Sequence, residues 1–153
     1  MTDLDATDRR ILTVLQKEGR VTNAELSDRI NLSPSACHRR VQRLEDDGYI
    51  AAFVALLDAR KLGRPTTVFV EITLQGQADD LLDAFEREVA RVPDVLECHL
   101  MAGSADYLLK IVARDTEDFA RIHRQYLSRL PGVAQMQSSF ALRTVFKTTA
   151  MAV

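Results

Sequence analysis

The chain has 153 residues, 46% of them hydrophobic and 27% charged, with a net charge of −2. Wholesale disorder is excluded, and the length suits one medium domain or two small ones. The longest apolar run, Ala51-Ala52-Phe53-Val54-Ala55-Leu56-Leu57, stops at Asp58, well short of the roughly 20 residues that span a membrane.

The start, Met1-Thr2-Asp3-Leu4-Asp5, is acidic and lacks the apolar stretch of a secretory leader. Cys37 and Cys98 are the only cysteines and lie far apart. No disulfide framework is expected, and a reducing cytoplasm is the expected location. Residues 1–60 hold nine Lys+Arg and ten Asp+Glu, yet Ser33 to Leu44 carries Arg39, Arg40 and Arg43 with no acid. A near-neutral body can still present a local basic face.

Three helices open the chain. Asp5 caps the first, whose apolar face is Ile11, Leu12, Val14 and Leu15, with Gly19 as its C-terminal stop just after Lys17. Thr22-Asn23-Ala24-Glu25 is a capping box, and the second helix presents Leu26 and Ile30 before stopping at Asn31. Ser33 caps a third helix with Pro34 at its first position, running to about Asp47 before Gly48. Tyr49–Leu57 reads as one or two strands forming a small wing. Asp58–Pro65, broken by Gly63 and Pro65, is the expected domain boundary.

The second half alternates. Thr66–Leu74 reads as a strand, Asp79–Val92 as an amphipathic helix with Leu81, Leu82, Phe85 and Val89 inward, and Val95–Met101 as a strand. After the turn-like Ala102–Ala105 come a strand at Asp106–Ala113 and a helix at Thr116–Leu130 with Phe119, Ile122, Tyr126 and Leu130 inward. A last strand follows at Val133–Phe146. The β-α-β-β-α-β order fits a ferredoxin-like α+β unit. In the first strand Val68, Val70, Ile72 and Leu74 share one face, and Phe69 and Glu71 the other. The face that the helices leave open, with apolar residues such as Leu109 or Ile111, is expected to meet a second sheet.

The tight restart at Asn31-Leu32-Ser33-Pro34 makes a helix-turn-helix signature. At about 100° per residue, Cys37, Val41 and Leu44 face inward. Ser35, Arg39, Gln42, Arg43 and Asp46 face outward, with His38 and Arg40 on the flanks. Arg forks to guanine or phosphate, Gln suits adenine, and Ser33 and Ser35 suit phosphate at a helix start. The expected contacts to double-stranded DNA are therefore Ser33, Ser35, His38, Arg39, Arg40, Gln42 and Arg43. The bland reading is a solvated charged face, and His38 reads equally as a plain surface histidine.

Cys98-His99 cannot bind one metal, because neighbours in a strand point to opposite faces. No metal is expected. No nucleophile elbow, phosphate loop or zinc motif is present, so no catalytic residue is assigned. Gly103-Ser104-Ala105-Asp106-Tyr107 reads either as a plain hairpin turn or as a ligand loop with free amides and one carboxylate.

Several runs together resemble the Lrp/AsnC (feast/famine) transcription regulators. They are Leu4-Asp5…Asp8…Ile11-Leu12…Leu15, Ser33-Pro34…Cys37…Arg40-Val41…Arg43-Leu44-Glu45…Gly48…Ile50, Val70-Glu71-Ile72, Glu97–Lys110 and Leu130-Pro131-Gly132-Val133. The similarity spans essentially the whole chain, and Glu97–Lys110 looks nearest the leucine-responsive branch. The resemblance implies a winged helix-turn-helix at 1–58, a linker at 59–65, and an effector-binding and assembly (RAM) domain at 66–153.

It further implies homo-oligomers (a dimer, extending to a tetramer or octamer) and an amino acid held between subunits, with no other cofactor. The implied effector residues are Leu100, Met101, Ala102, Gly103, Ser104, Asp106 and Tyr107 on one subunit. Gln135, Met136, Gln137, Ser138, Ser139 and Phe140 face them from a neighbour. Asp106 would take the ammonium, and turn amides with Ser138 or Ser139 the carboxylate. Leu100, Met136 and Phe140 would line a slot for leucine or methionine. The alternatives are a small ferredoxin-like enzyme or a ligand-binding module acting on a partner protein.

Overall fold

A computed structural model describes residues 3–153; the two that precede them, including part of the expected DNA-binding domain and N-terminal stretch, lie outside the described residues. The chain divides into two compact units, one running to Leu56 and including Phe146–Val153, the other Leu57–Val145.

The first unit holds α1 (Ala6–Leu15), α2 (Asn23–Ile30) and α3 (Pro34–Asp46). Asp5 and Asp8 form a reciprocal capping box on α1, and Thr22 and Glu25 form another on α2. Asn31 adopts a left-handed φ of 57° and ends α2; Ser33 then accepts from the Ala36 amide, so α3 starts almost at once. Ile11, Leu12, Leu26, Ile30, Cys37 and Leu44 form the core. Gly19 is not the cap of α1, which ends at Leu15 and unwinds through Gln16. The Phe146–Val153 tail belongs to this unit: the Gln16 side chain donates to Met151 O at 3.0 Å and accepts from the Met151 amide.

The expected wing strands do not form. Residues 51–57 run exposed beyond the last backbone bond, Ile50 N–H to Leu44 O, with no ladder among the described residues. The segment contains no Gly, Asn or Pro to fold it on itself, and a strand without a partner has no ladder. Residues 58–64 form a compact turn in which the Asp58 carboxylate accepts from the amides of Arg60 and Lys61, and Arg64 N–H bonds Ala59 O.

The second unit holds β1 (Thr66–Leu74), α4 (Asp79–Val89), β2 (Val95–Leu100), β3 (Tyr107–Ala113), α5 (Thr116–Gln125), a 3₁₀ turn at Leu127–Arg129, and β4 (Val133–Phe140). All pairings are antiparallel in the order β2-β3-β1-β4, the ferredoxin-like arrangement. Val68, Val70 and Ile72 are fully buried beneath the helices, as are Phe85 of α4 and Ile122 of α5. Leu109 and Ile111 are buried too, contrary to their expected place on the open face. The register explains it: Leu109 pairs with Val70 and Ile111 with Val68, so they share the helix-covered side. The open face carries Phe69, Glu71, Leu108, Lys110 and Val112 instead. Both helices stop earlier than expected. Pro131 follows the end of α5, and the chain tightens to 3₁₀ before it.

Two buried carboxylates organise this unit. Asp118 accepts from the Arg114 amide at 3.0 Å and from the guanidiniums of Arg114 and Arg121, which holds its carboxyl well below the usual range. Asp94 binds Arg64 and lies 3.9 Å from Arg121.

Candidate DNA-reading helix and effector cleft

Cys37 and Leu44 anchor α3 in the core, which turns Ser35, His38, Arg39, Gln42 and Asp46 outward. Gln42 is held by Asp46 at 3.1 Å, and Ser33 and Ser35 lie 3.3 Å apart at the helix start. Arg39 has no acidic partner among the described residues. The exposed face thus presents one unpaired guanidinium, an imidazole, an amide and two hydroxyls beside a helix N-terminus. All suit phosphate or base edges.

Arg40 and Arg43 are placed differently from expectation. Arg40 reaches Asp5 at 2.7 Å and Asp8 at 2.9 Å, and Arg43 donates to the other Asp8 oxygen. Asp8 is only 1% exposed. Arg43 lies about 240° around the helix from Cys37, on the side facing the N-terminus of α1, and its Nε is buried without a partner among the described residues. These two arginines tie α3 to α1. The Asp8 amide, then Arg40, hold the Asp5 carboxyl down at about 2. Asn23 braces the turn by donating to Pro34 O at 2.8 Å.

In the second unit the β2–β3 turn meets the end of β1. Met101 N–H bonds Asp106 O, and Asp106 N–H bonds Ile72 O. The Asp106 carboxylate is occupied on both oxygens, accepting from the Leu74 amide at 2.7 Å and from Gln77 at 3.0 Å. It clasps the turn to β1 rather than standing free for an ammonium. Beside the turn is a polar cleft of about 160 Å³ lined by Glu71, Thr73, Ser104, Ala105, Gln135 and Gln137. Ser104, Gln135 and Gln137 were expected in the effector set. Glu71 and Thr73 were missed, although Glu71 is the one charge in an otherwise apolar or hydroxyl-bearing strand.

The strand period separates the remaining effector residues. Met136, Ser138 and Phe140 pair with Ile72, Val70 and Val68, so they take the helix-covered side; Phe140 meets Phe119 edge-on at 5.3 Å. Ser139, opposite Phe69, lies on the open face. Leu100 pairs with Tyr107 at the far edge of the sheet from β4, so Leu100, Met136 and Phe140 do not meet within one chain. Met101, Ala102 and Gly103 are exposed in the turn, whereas Tyr107 is buried.

Residues 4–51 match a family model described as winged helix-turn-helix DNA-binding, and residues 67–151 match one for the Lrp/AsnC ligand binding domain. The leucine-responsive regulatory protein of Escherichia coli (strain K12) is 43% identical over 143 residues, covering 94% of this chain and 87% of that protein. A transcriptional regulator of Neisseria meningitidis, solved as a complex with L-Met, is 38% identical, with a TM-score of 0.92 over 97% of this chain and 96% of its own. An AsnC family regulator from Agrobacterium tumefaciens is 33% identical, also at a TM-score of 0.92 over 97% of this chain and 96% of its own. Sequence, fold and reading helix converge, and the chain belongs to the Lrp/AsnC family of DNA-binding transcription regulators.

Proposed function

We propose that the chain acts in the cytoplasm as a homo-oligomeric regulator that reads DNA through Ser33, Ser35, His38, Arg39 and Gln42 and is switched by leucine or methionine. The observation that carries this reading is the outward face of α3, where Arg39 stands unpaired beside a capped helix start. Arg40 and Arg43 hold that face in place through Asp8. In sequence the DNA-binding domain is residues 1–58, the linker 59–65 and the effector domain 66–153, a division the two matched family models support, with the tail from Phe146 packing in the first unit.

The effector's polar head suits the turn cleft. Glu71 is the anion for an ammonium, and the amides at Ser104 and Ala105 with Gln135 and Gln137 are donors for a carboxylate. Asp106 shapes the loop. A neighbouring subunit closes the cleft and supplies the apolar slot. The L-Met complex of the Neisseria relative and the leucine-responsive name of the curated relatives support an apolar effector. Self-association is supported by the open sheet face, where Phe69 is 38% exposed, and by the exposed apolar segment 51–57.

Isothermal titration against a panel of amino acids, with sedimentation at each end point, tests the switch. Leucine or methionine binding in preference to aspartate and lysine, with a shift in assembly, is the expected result. Equal binding of all four, or a single 17.2 kDa species throughout, refutes it.

A further inference from the structure

A second cavity, of about 400 Å³, lies away from the turn cleft, between α4 and edge strand β2. Val89, Ala90, Leu96 and Leu100 make its apolar walls. Tyr107 donates its hydroxyl to one oxygen of Glu86 at 2.7 Å, and the other oxygen has no hydrogen-bond partner among the described residues. Glu97 at the rim is already taken by Lys110 at 2.6 Å, which leaves the second oxygen of Glu86 as the open carboxylate acceptor.

The strand edge supplies the opposite polarity. Met101 N–H points across the hairpin to Asp106 O. Backbone groups alternate along an antiparallel strand, so the N–H groups of Cys98 and Leu100 point away from β3. Among the described residues β2 has no strand neighbour on that side. The side chains of the same two residues pair opposite Leu109 and Tyr107 and so face α4 and the cavity. One carboxylate and apolar walls therefore line one space, and its open edge carries outward amide donors.

We propose that this cavity is a second binding site, separate from the turn cleft, for an apolar free amino acid. Glu86 holds its ammonium, the edge amides of Cys98 or Leu100 hold its carboxylate, and Val89, Ala90 and Leu96 pack its side chain. The site stands whether or not the turn cleft binds the effector.

Cys98 reports on occupancy. It is exposed and lines the cavity, while Cys37 is fully buried. Desolvation against α4 and the nearby Glu86 carboxylate push its thiol up to about 11, so alkylation is slow enough to time. The experiment follows N-ethylmaleimide addition to the full chain by intact mass. Leucine, methionine or phenylalanine should slow it at least about fivefold, and aspartate and isovalerate, which lacks the ammonium, should not. Ser104→Trp, which fills the turn cleft, should leave protection intact. Glu86→Gln should raise the half-protecting concentration about tenfold. Ala90→Trp, at the exposed C-cap of α4 where it fills the cavity, should lower the calorimetric stoichiometry by one site per chain.

An unchanged alkylation rate, equal protection by isovalerate, or loss of protection in Ser104→Trp overturns the proposal. So does an unchanged stoichiometry in Ala90→Trp. Protection that follows protein concentration instead of amino acid also overturns it, and assigns the edge to a second copy of the chain.

Discussion

Removing the Asp8 carboxylate tests how the reading helix is held. Asp8 is 1% exposed and accepts from both Arg40 and Arg43, while those side chains are 30% and 38% exposed. Breaking a fully buried pair costs about 3–5 kcal/mol, because the remaining charge is stranded. Here both guanidiniums regain water and Arg40 keeps Asp5 at 2.7 Å, which lowers the cost. The reciprocal cap bond, Asp5 N–H to Asp8 at 3.3 Å, adds a smaller loss to the total. For Asp8→Ala we expect about 2–3 kcal/mol, equivalent to roughly 30- to 150-fold faster local opening.

Hydrogen exchange read by mass spectrometry resolves this by segment. Peptides from α1 and α3 should lose protection by that factor, and peptides from α4 and α5 should not change. Adding Arg43→Met in the Asp8→Ala background should recover part of the loss, because the stranded charge goes with it. A change below about 0.5 kcal/mol, the range of an ordinary surface substitution, would refute the idea that Asp8 locks α3 to α1.

Gly132 has a φ of +71°, and an added Cβ would sit 2.2 Å from Leu81 Cδ1. Gly132→Ala should therefore destabilise by about 2 kcal/mol or more in a urea titration, where a neutral result would show that Leu81 moves aside freely. Acid should unfold the protein progressively. The carboxyls of Asp5 and Asp118 are depressed in the folded state, so their stabilisation is complete above the unfolded carboxyl value near 4 and is lost as pH falls toward about 2. Circular dichroism from pH 6 to pH 2 should show Asp118→Asn with a shallower acid limb than wild type; parallel limbs would count against Asp118. Ile111→Ala, which opens a hole between β3 and the helices at a fully buried site, should cost about 2–5 kcal/mol in urea; a loss under 1 kcal/mol would contradict the assigned strand face.

The caps were legible because their signals are local: Asp5 before α1, Thr22 with Glu25, and Ser33 before Pro34 each sit within one helical turn; the return bond from Asp5 N–H to Asp8 was not read. The fates of Arg40 and Arg43 were not, because their partners lie more than 30 residues away in sequence. The inward face of β1 was readable from its alternation. That of β3 was not, because Tyr107-Leu108-Leu109-Lys110-Ile111-Val112 is apolar on both faces and only the register with β1 chooses between them. The same period of two splits 135–140 between the faces of β4, a separation that a run of site residues conceals. Residues 49–57 have strand composition, but pairing needs a second strand that this segment does not meet among the described residues.

The central claim is that the outward face of α3 reads DNA under control of an apolar amino acid. Fluorescence anisotropy on a duplex enriched from random sequence, titrated with wild type and Arg39→Ala, each with and without leucine and methionine, tests it most directly. The account predicts wild-type binding at least about 10³-fold tighter than to random duplex, a loss of about 1–3 kcal/mol in Arg39→Ala, and a shift of roughly 5- to 150-fold with one of the two amino acids. Equal affinity of wild type and Arg39→Ala for the enriched duplex, or wild-type binding that neither amino acid moves, would contradict it.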